Sequence, residues 1–283
     1  MNRLQPSDYK SAYSQLKKVT INNLFARSVV EHRVEGKVYV DNVSDPNCYY
    51  VVHPYGMSLL YGQLSEDFLS SELTDYLVGI NGLRKTDEFL QIFPLELEER
   101  LDEALGERLY RQDLNEAYDQ TVHAVVKHKR INFTFNRKKF ADYLSQTDLG
   151  SYRFLPVDKE LFEHTEGSVV PYKFWNNYSD FARYGVGFSL LSDNIPVAVA
   201  FSSFSHDNML ELGMETAAHH RKQGFASRVC AKLIMYCINN QLEPIWACRA
   251  GNLASYNLAI KMGFEPSAYL PYYELCTPAA YLD

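Results

Sequence analysis

Apolar residues change their spacing along this chain, and each change marks an element. GKVYVD at 36–41 alternates as a strand does, the turn cluster DNVSDPN follows, and CYYVVHPYGMSLLYG at 48–62 reads as further strands. Asp41 and Asn42 are suited to bonding their own backbone and Pro46 fixes a dihedral, so the cluster reads as a plain hairpin loop. Helical spacing predicts helices near 7–17, 20–32, 66–80 and 95–106, with strands EFLQIFP at 88–94 and RINFTFN at 130–136.

Periodicity fades near 137–155, through LSQTDLGSYRFLPVD, which places a domain boundary there. The expected division is residues 1–145, a mixed α/β domain, and 146–283, a second one. Beyond the boundary come a strand at 152–156, a helix at 158–165 and a helix over PYKFWNNYSDFAR at 171–183. VGFSLL, SDN and IPVAVAFSSF read as a hairpin, followed by the strand LELGMET at 210–216. FASRVCAKLIMYCINN carries apolar residues at 225, 229, 230, 233, 234, 237 and 238, a helical stripe suited to packing on a sheet. PIWAC reads as a short buried strand, LASYNLAIKM as a helix stopped by Gly263, and FEPSAYLPYYEL as a final strand pair.

Composition narrows the function more than the fold. With 46% hydrophobic residues, 21 Tyr and 16 Phe in 283 residues, the chain can bury a core and is not disordered. A net charge of -7 weighs against a broad nucleic-acid surface. No apolar run approaches the ~18–20 residues of a membrane span, and the N-terminus lacks a signal-like apolar region, so a cytoplasmic protein is expected. The five cysteines lack metal or disulfide spacing, and Cys230 and Cys237 fall on the apolar face of one helix. His219 and His220 are adjacent rather than a helical turn apart, so no metal site is expected.

The chemistry-bearing stretch is HHRKQGFA, 219–226. It joins a strand directly to a helix, and the first N–H groups of a helix, unpaired within it, attract anions. Gly224 lets a phosphate approach the backbone, Ala226 keeps the next turn bare, and Arg221 offers a permanently charged fork beside Lys222. The preceding strand puts Leu210, Leu212 and Met214 on one face and Glu211, Gly213 and Glu215 on the other. Two carboxylates therefore share a face, with a glycine between them where a ligand could come close.

Arg221-x-x-Gly224-x-Ala226 after LELGMET, followed by PIWAC, Asn252 and the Gly263–Phe264 pair, resembles the GNAT acyltransferase superfamily. PIWACRAGNLASYNLAIKMGF and GKVYVDNVSDP resemble more narrowly the bacterial subgroup that includes zwittermicin-type resistance acetyltransferases. The resemblance implies the GNAT fold, a mixed, mostly antiparallel sheet flanked by helices, with a degenerate GNAT-like N-terminal domain. It implies an N-acetyltransferase that moves an acetyl group from acetyl-CoA to a primary amine of a small molecule in a ternary complex. Arg221, Lys222, Gln223, Gly224, Phe225 and Ala226 would then line the pyrophosphate, with Met214, Glu215 and Thr216 along the pantetheine arm. Asn252 and Ser255 would bond the cofactor from the far side of the cleft.

An amine must be deprotonated before attacking a thioester, and the leaving thiolate needs a proton. Glu211 matches the superfamily's usual base, and Glu215 lies nearer the turn. Ala259 stands where many relatives carry an acidic tyrosine, which leaves Tyr256, one turn earlier, as the candidate acid. That departure also leaves open a non-catalytic acyl-CoA-binding protein.

Overall fold

The computed structural model describes residues 1–112 and 124–277. Two compact units share them: one from 1–131, 249–251 and the residues from 269 onward, the other from 132–248 and 252–268.

In the first unit, β1 (Asn2–Arg3), β2 (Lys37–Val40), β3 (Cys48–Val52) and β4 (Met57–Gly62) pair antiparallel in sequence order. β5 (Glu88–Phe93) then runs parallel to β4. Helices α1 (Tyr9–Leu16) and α2 (Leu24–Val30) pack on β3 and β4, and the Tyr61 hydroxyl donates to Ala12 O at 2.9 Å. The segment expected as one helix over 66–80 is α3 (Glu66–Phe68), a wider turn at Leu69–Leu73, and α4 (Thr74–Leu77). The Thr74 hydroxyl donates to Leu69 O, five residues back, at 2.6 Å, and so stabilises that widening. Together with α5 (Leu97–Leu105) these helices bury Phe68, Leu73, Tyr76 and Leu101 against Tyr50, Leu60, Leu90 and Ile92 of the sheet. Inside this core Glu88 accepts from Tyr50 Oη at 2.9 Å and Tyr76 Oη at 2.5 Å, and burial raises its pKa. β6 (Leu109–Arg111) pairs in parallel with β7 (Val125–Phe135), whose last residues belong to the second unit.

The second unit begins with α6 (Arg137–Ser145), β8 (Arg153–Pro156) and α7 (Lys159–His164). The helix expected over 171–183 is instead a single 3-10 turn at Pro171–Lys173 and a short α8 (Tyr178–Tyr184). Asn177 interrupts the two because its Oδ1 accepts from Asp180 N at 2.9 Å, starting a new helix. Phe174 and Trp175 thus lie between helices rather than on a helical stripe, and both are buried. β9 (Gly187–Ser192), β10 (Ile195–His206) and β11 (Met209–Thr216) follow as antiparallel neighbours, with β8 beyond β9.

The 15-residue α9 (Phe225–Asn239) covers one face of this sheet with Val229, Cys230, Leu233, Ile234 and Cys237. The opposite face carries Phe201 and Phe204, against which the Phe174 ring stands edge-on at 5.5 and 5.6 Å. β12 (Glu243–Ile245) adds to β11 in parallel, then β13 (Ala247–Arg249) and α10 (Leu253–Lys261) complete the unit's order. The expected final strand pair is one 12-residue strand, β14 (Phe264–Leu275). Pro266 and Pro271 do not break it, since an extended proline removes only one ladder donor. Within the first unit β14 lies between β5 and β7, with Tyr273 opposite Leu90.

Candidate active site

The second sheet comes apart at one place. β11 and β12 pair over Met209–Glu211 and Glu243–Ile245, and β12 ends there, so among the described residues that edge of β11 has no strand beside it from Leu212 to Thr216. Trp246 O instead accepts from Phe133 N at 3.1 Å, which draws the chain after Ile245 away from β11. Glu211 is therefore the last paired residue before an open strand edge. Its side chain is 5% exposed and shares a face with its register partner Phe204. A bulge in β10 sets this register: Ser203 is skipped between Ser202 and Phe204, and its hydroxyl donates to Glu211 O at 3.0 Å.

The alternation of Glu211, Gly213 and Glu215 on one face is present, but Gly213 does not make room for a ligand. An added Cβ there would stand 2.6 Å from Phe201 Cζ, so the neighbouring strand's ring takes the space. Met214 lies on the α9 side, opposite Ala200.

At the end of β11 the chain turns through a short 3-10 stretch, Ala218–His220, into α9. Lys222 and Gly224 both have positive φ, +62° and +82°, which reverses the backbone into the helix. Among the described residues the N–H groups of Phe225, Ala226 and Ser227 have no backbone partner, and the first turn of α9 holds no acidic side chain. Arg228, one turn in, donates from Nη1 to Gly224 O at 3.0 Å, and its guanidinium lies 4.5 Å from the Tyr152 ring centre. Its Nε is buried with no partner among the described residues. Nothing in the turn motif singles out Arg228; its spacing of four from Gly224 was the available signal.

Glu215 is a junction. Its Oε2 accepts from Ser168 N at 3.0 Å, Ser168 Oγ at 3.2 Å and Val169 N at 3.3 Å. Its Oε1 accepts from Thr216 N at 3.2 Å and Arg221 Nη2 at 3.3 Å. Arg221 is also held through Nε to Thr216 O at 3.2 Å. The loop reaches Glu215 only because Gly167, at φ +139°, has no Cβ, which would stand 2.4 Å from Glu215 Cγ. Thr216 itself is 8% exposed, and its hydroxyl is buried without a partner among the described residues. Lys222 and Gln223 are exposed, with Gln223 Nε2 donating to His219 O at 3.4 Å.

On α10, Asn252 caps the helix by accepting from Ser255 N at 3.1 Å, and Ser255 Oγ accepts from Trp246 Nε1 at 3.2 Å. Tyr256 is half-buried, 5.8 Å from the Phe133 ring, and its hydroxyl has no hydrogen bond among the described residues. Ala259, by contrast, is completely buried.

A groove of about 730 Å³ opens beside Glu215 and Arg221. Leu161, Val197 and Val199 contribute to its lining, which among the described residues carries four carboxylates (Asp158, Glu160, Glu166, Glu215) against the single cation of Arg221. Among the described residues no group of three His, Cys, Asp or Glu side chains is placed to hold a metal, and no helix is long and apolar enough to cross a membrane.

A strand pair that parts beside a buried carboxylate, with a glycine turn and a bare helix start at its open end, matches a sequence family as well as a geometry. The family profile described as GNAT acetyltransferase matches residues 14–273, and the chain belongs to that family; it is an acyltransferase of the N-acetyltransferase type. One relative, a Bacillus subtilis (strain 168) protein described as the uncharacterized N-acetyltransferase YdfB, is 26% identical over 271 residues, covering 93% of this chain and 96% of its own. A GCN5-related N-acetyltransferase-like protein from Streptococcus suis 89/1591 shares the fold with a TM-score of 0.67 at 20% identity, over 95% of this chain and 99% of its own. A tandem GNAT protein from the clavulanic acid biosynthesis pathway shares it at 0.55 and 8% identity, over 96% and 97% of the two chains.

Proposed function

We propose that this enzyme transfers an acetyl group from acetyl-CoA to a primary amine of a small molecule, by direct attack within a ternary complex. The observation that carries the reading is the end of β11–β12 pairing at the buried Glu211. The open edge from Leu212 to Thr216 offers backbone groups to an extended amide-bearing chain such as pantetheine, which takes the place of the missing strand. The unpaired N–H groups of Phe225, Ala226 and Ser227, with Arg221 and Arg228, suit the pyrophosphate. The orphaned hydroxyl of Thr216 and Nε of Arg228 support a polar ligand at that end of the strand. Lys222 and Gln223 flank the same turn, Met214 lies beside the thioester arm, and Asn252 and Ser255 bound the cleft from α10.

In the reaction, Glu211 accepts a proton from the ammonium. The freed amine nitrogen attacks the thioester carbonyl, the tetrahedral adduct expels the CoA thiolate, Tyr256 gives a proton to that sulfur, and the surplus proton on the acylated nitrogen leaves through solvent, restoring the Tyr256 hydroxyl. Glu215 is a positioning residue here: with both oxygens engaged, it fixes Arg221 and the 167–169 loop rather than moving protons. The excess of carboxylates in the adjacent groove supports an acceptor that arrives as a cation, so the amine class rests on charge rather than on resemblance to antibiotic-resistance enzymes.

The test is release of free thiol from acetyl-CoA in the presence of a panel of primary amines, with acidic amines as a contrast. Glu211→Gln should lower kcat by about 10²–10⁴-fold while CoA binding, read by thermal shift, is retained. Undiminished turnover in Glu211→Gln, or thiol release that ignores the amine supplied, would overturn the reading.

A further inference from the structure

The first unit has a recess of its own, of about 690 Å³, whose wall is made by Arg111, Lys127, Lys129 and Arg249, with Glu98 as the one carboxylate in the lining among the described residues. We propose that this recess binds a small aromatic oxyanion, a ring-bearing phosphate or carboxylate, independently of the site on α9.

The cations are held from behind. Asp102 accepts from Lys127 Nζ at 2.5 Å and Arg111 Nη2 at 3.2 Å, and Tyr273 Oη donates to the same carboxylate at 2.9 Å. Glu274 sits within 2.7 Å of His128 Nε2 and accepts from Arg249 Nη1 at 3.1 Å. The side chains of Asp102 and Glu274 are only 13% and 4% exposed, whereas Arg111 and Arg249 are 64% and 42% exposed. Each carboxylate therefore holds one nitrogen of a guanidinium that lines the recess, and the partly exposed remainder of its fork is open to a second acceptor. Counting Glu98, which pairs with Lys127 Nζ at 2.7 Å, the cluster holds four cations against three carboxylates among the described residues, and Asp102 and Glu274 are the buried ones. Lys129 is exposed and has no ion pair among the described residues. In a chain of net charge -7, such a concentration of donors is local and directed.

The ring requirement comes from Tyr269. It lines the same recess, is 59% exposed, and continues into Leu270 and Pro271 as an apolar wall beside the cations. An exposed aromatic next to fixed guanidinium groups suits a planar ligand that stacks on one and is forked by the other.

The probe is phenyl phosphate, titrated calorimetrically into the full-length protein at low ionic strength, with inorganic phosphate as the ring-free control. Phenyl phosphate should bind at least about tenfold tighter than phosphate, and Tyr269→Ala should erase that difference. Arg111→Ala with Lys129→Ala, both exposed positions, should weaken binding about tenfold or more, while Arg221→Ala leaves it unchanged. Affinity should fall as salt is raised. Loss of binding in Arg221→Ala but not in the double variant would put the ligand on the α9 turn and overturn the proposal. So would wild-type binding no tighter than about 1 mM for phenyl phosphate. Neither outcome bears on acetyl transfer, which the thiol assay reads separately.

Discussion

Replacing Glu215 with alanine separates a positioning carboxylate from a catalytic one. The substitution removes an acceptor of five hydrogen bonds, three of which tie Ser168 and Val169 to the end of β11. A hydrogen bond to a charged group is worth about 1.5–3 kcal/mol, but these are 3.0–3.3 Å long and water can replace the loop's side of several. A total loss of about 2–3 kcal/mol follows, or a Tm lower by about 4–10 °C. Glutamine is no neutral substitute, because both oxygens accept and its NH2 would face donors on one side. Arg221 would lose one of its two anchors, so KM for acetyl-CoA should rise about tenfold while kcat falls far less. Differential scanning fluorimetry and initial-rate kinetics read the two effects together. A fall in kcat of about 100-fold or more, with KM and Tm unchanged, would identify Glu215 as the base and refute the assignment to Glu211.

Gly213→Ala should lower stability by about 1–3 kcal/mol, read in a denaturant melt, because its Cβ would press on the Phe201 ring at 2.6 Å. Tyr256→Phe should reduce kcat about tenfold or more with little change in KM; an unaltered kcat would transfer the acid role to water. Burial pushes His53 down from 6.5 to about 3, so the folded state resists protonation and the unfolded state does not. Its contribution to stability is thus complete above pH 6.5 and is lost as pH falls toward 3, by at most about 1.4 kcal/mol per pH unit. His53→Gln should flatten that part of the unfolding profile measured by urea titration.

The elements around the turn were legible because their signals are local. The stripe of α9, the alternation of β11 and the punctuation of Gly224 and Gly263 each lie within one element or at its end. The break between the 3-10 turn and α8 was harder to see: Phe174, Trp175, Tyr178 and Phe181 have helical spacing, and the competing signal is one Asn177 side chain turned back on the backbone. At 264–275 the expected strand pair is a single strand that runs through Pro266 and Pro271. The occupation of Gly213 by Phe201, the parting of β12 from β11 at Glu211, and the hold of Glu215 on a loop 46 or 47 residues away are all products of register between distant segments. A sequence pattern identifies which face a residue takes but not what sits opposite, and most of the site's chemistry depends on the latter.

The place of β14 between β5 and β7 has a bearing on biogenesis. A ribosome that has released everything through β7 has delivered two neighbours that cannot yet meet, because the strand that joins them, with Tyr273 opposite Leu90, is translated only after the helices and strands of the second unit. Until then the nascent first unit carries two open strand edges, the surface most prone to capture by another chain. The first unit therefore needs shelter while the second is being made, and it gains its joining strand only once β14 has been translated.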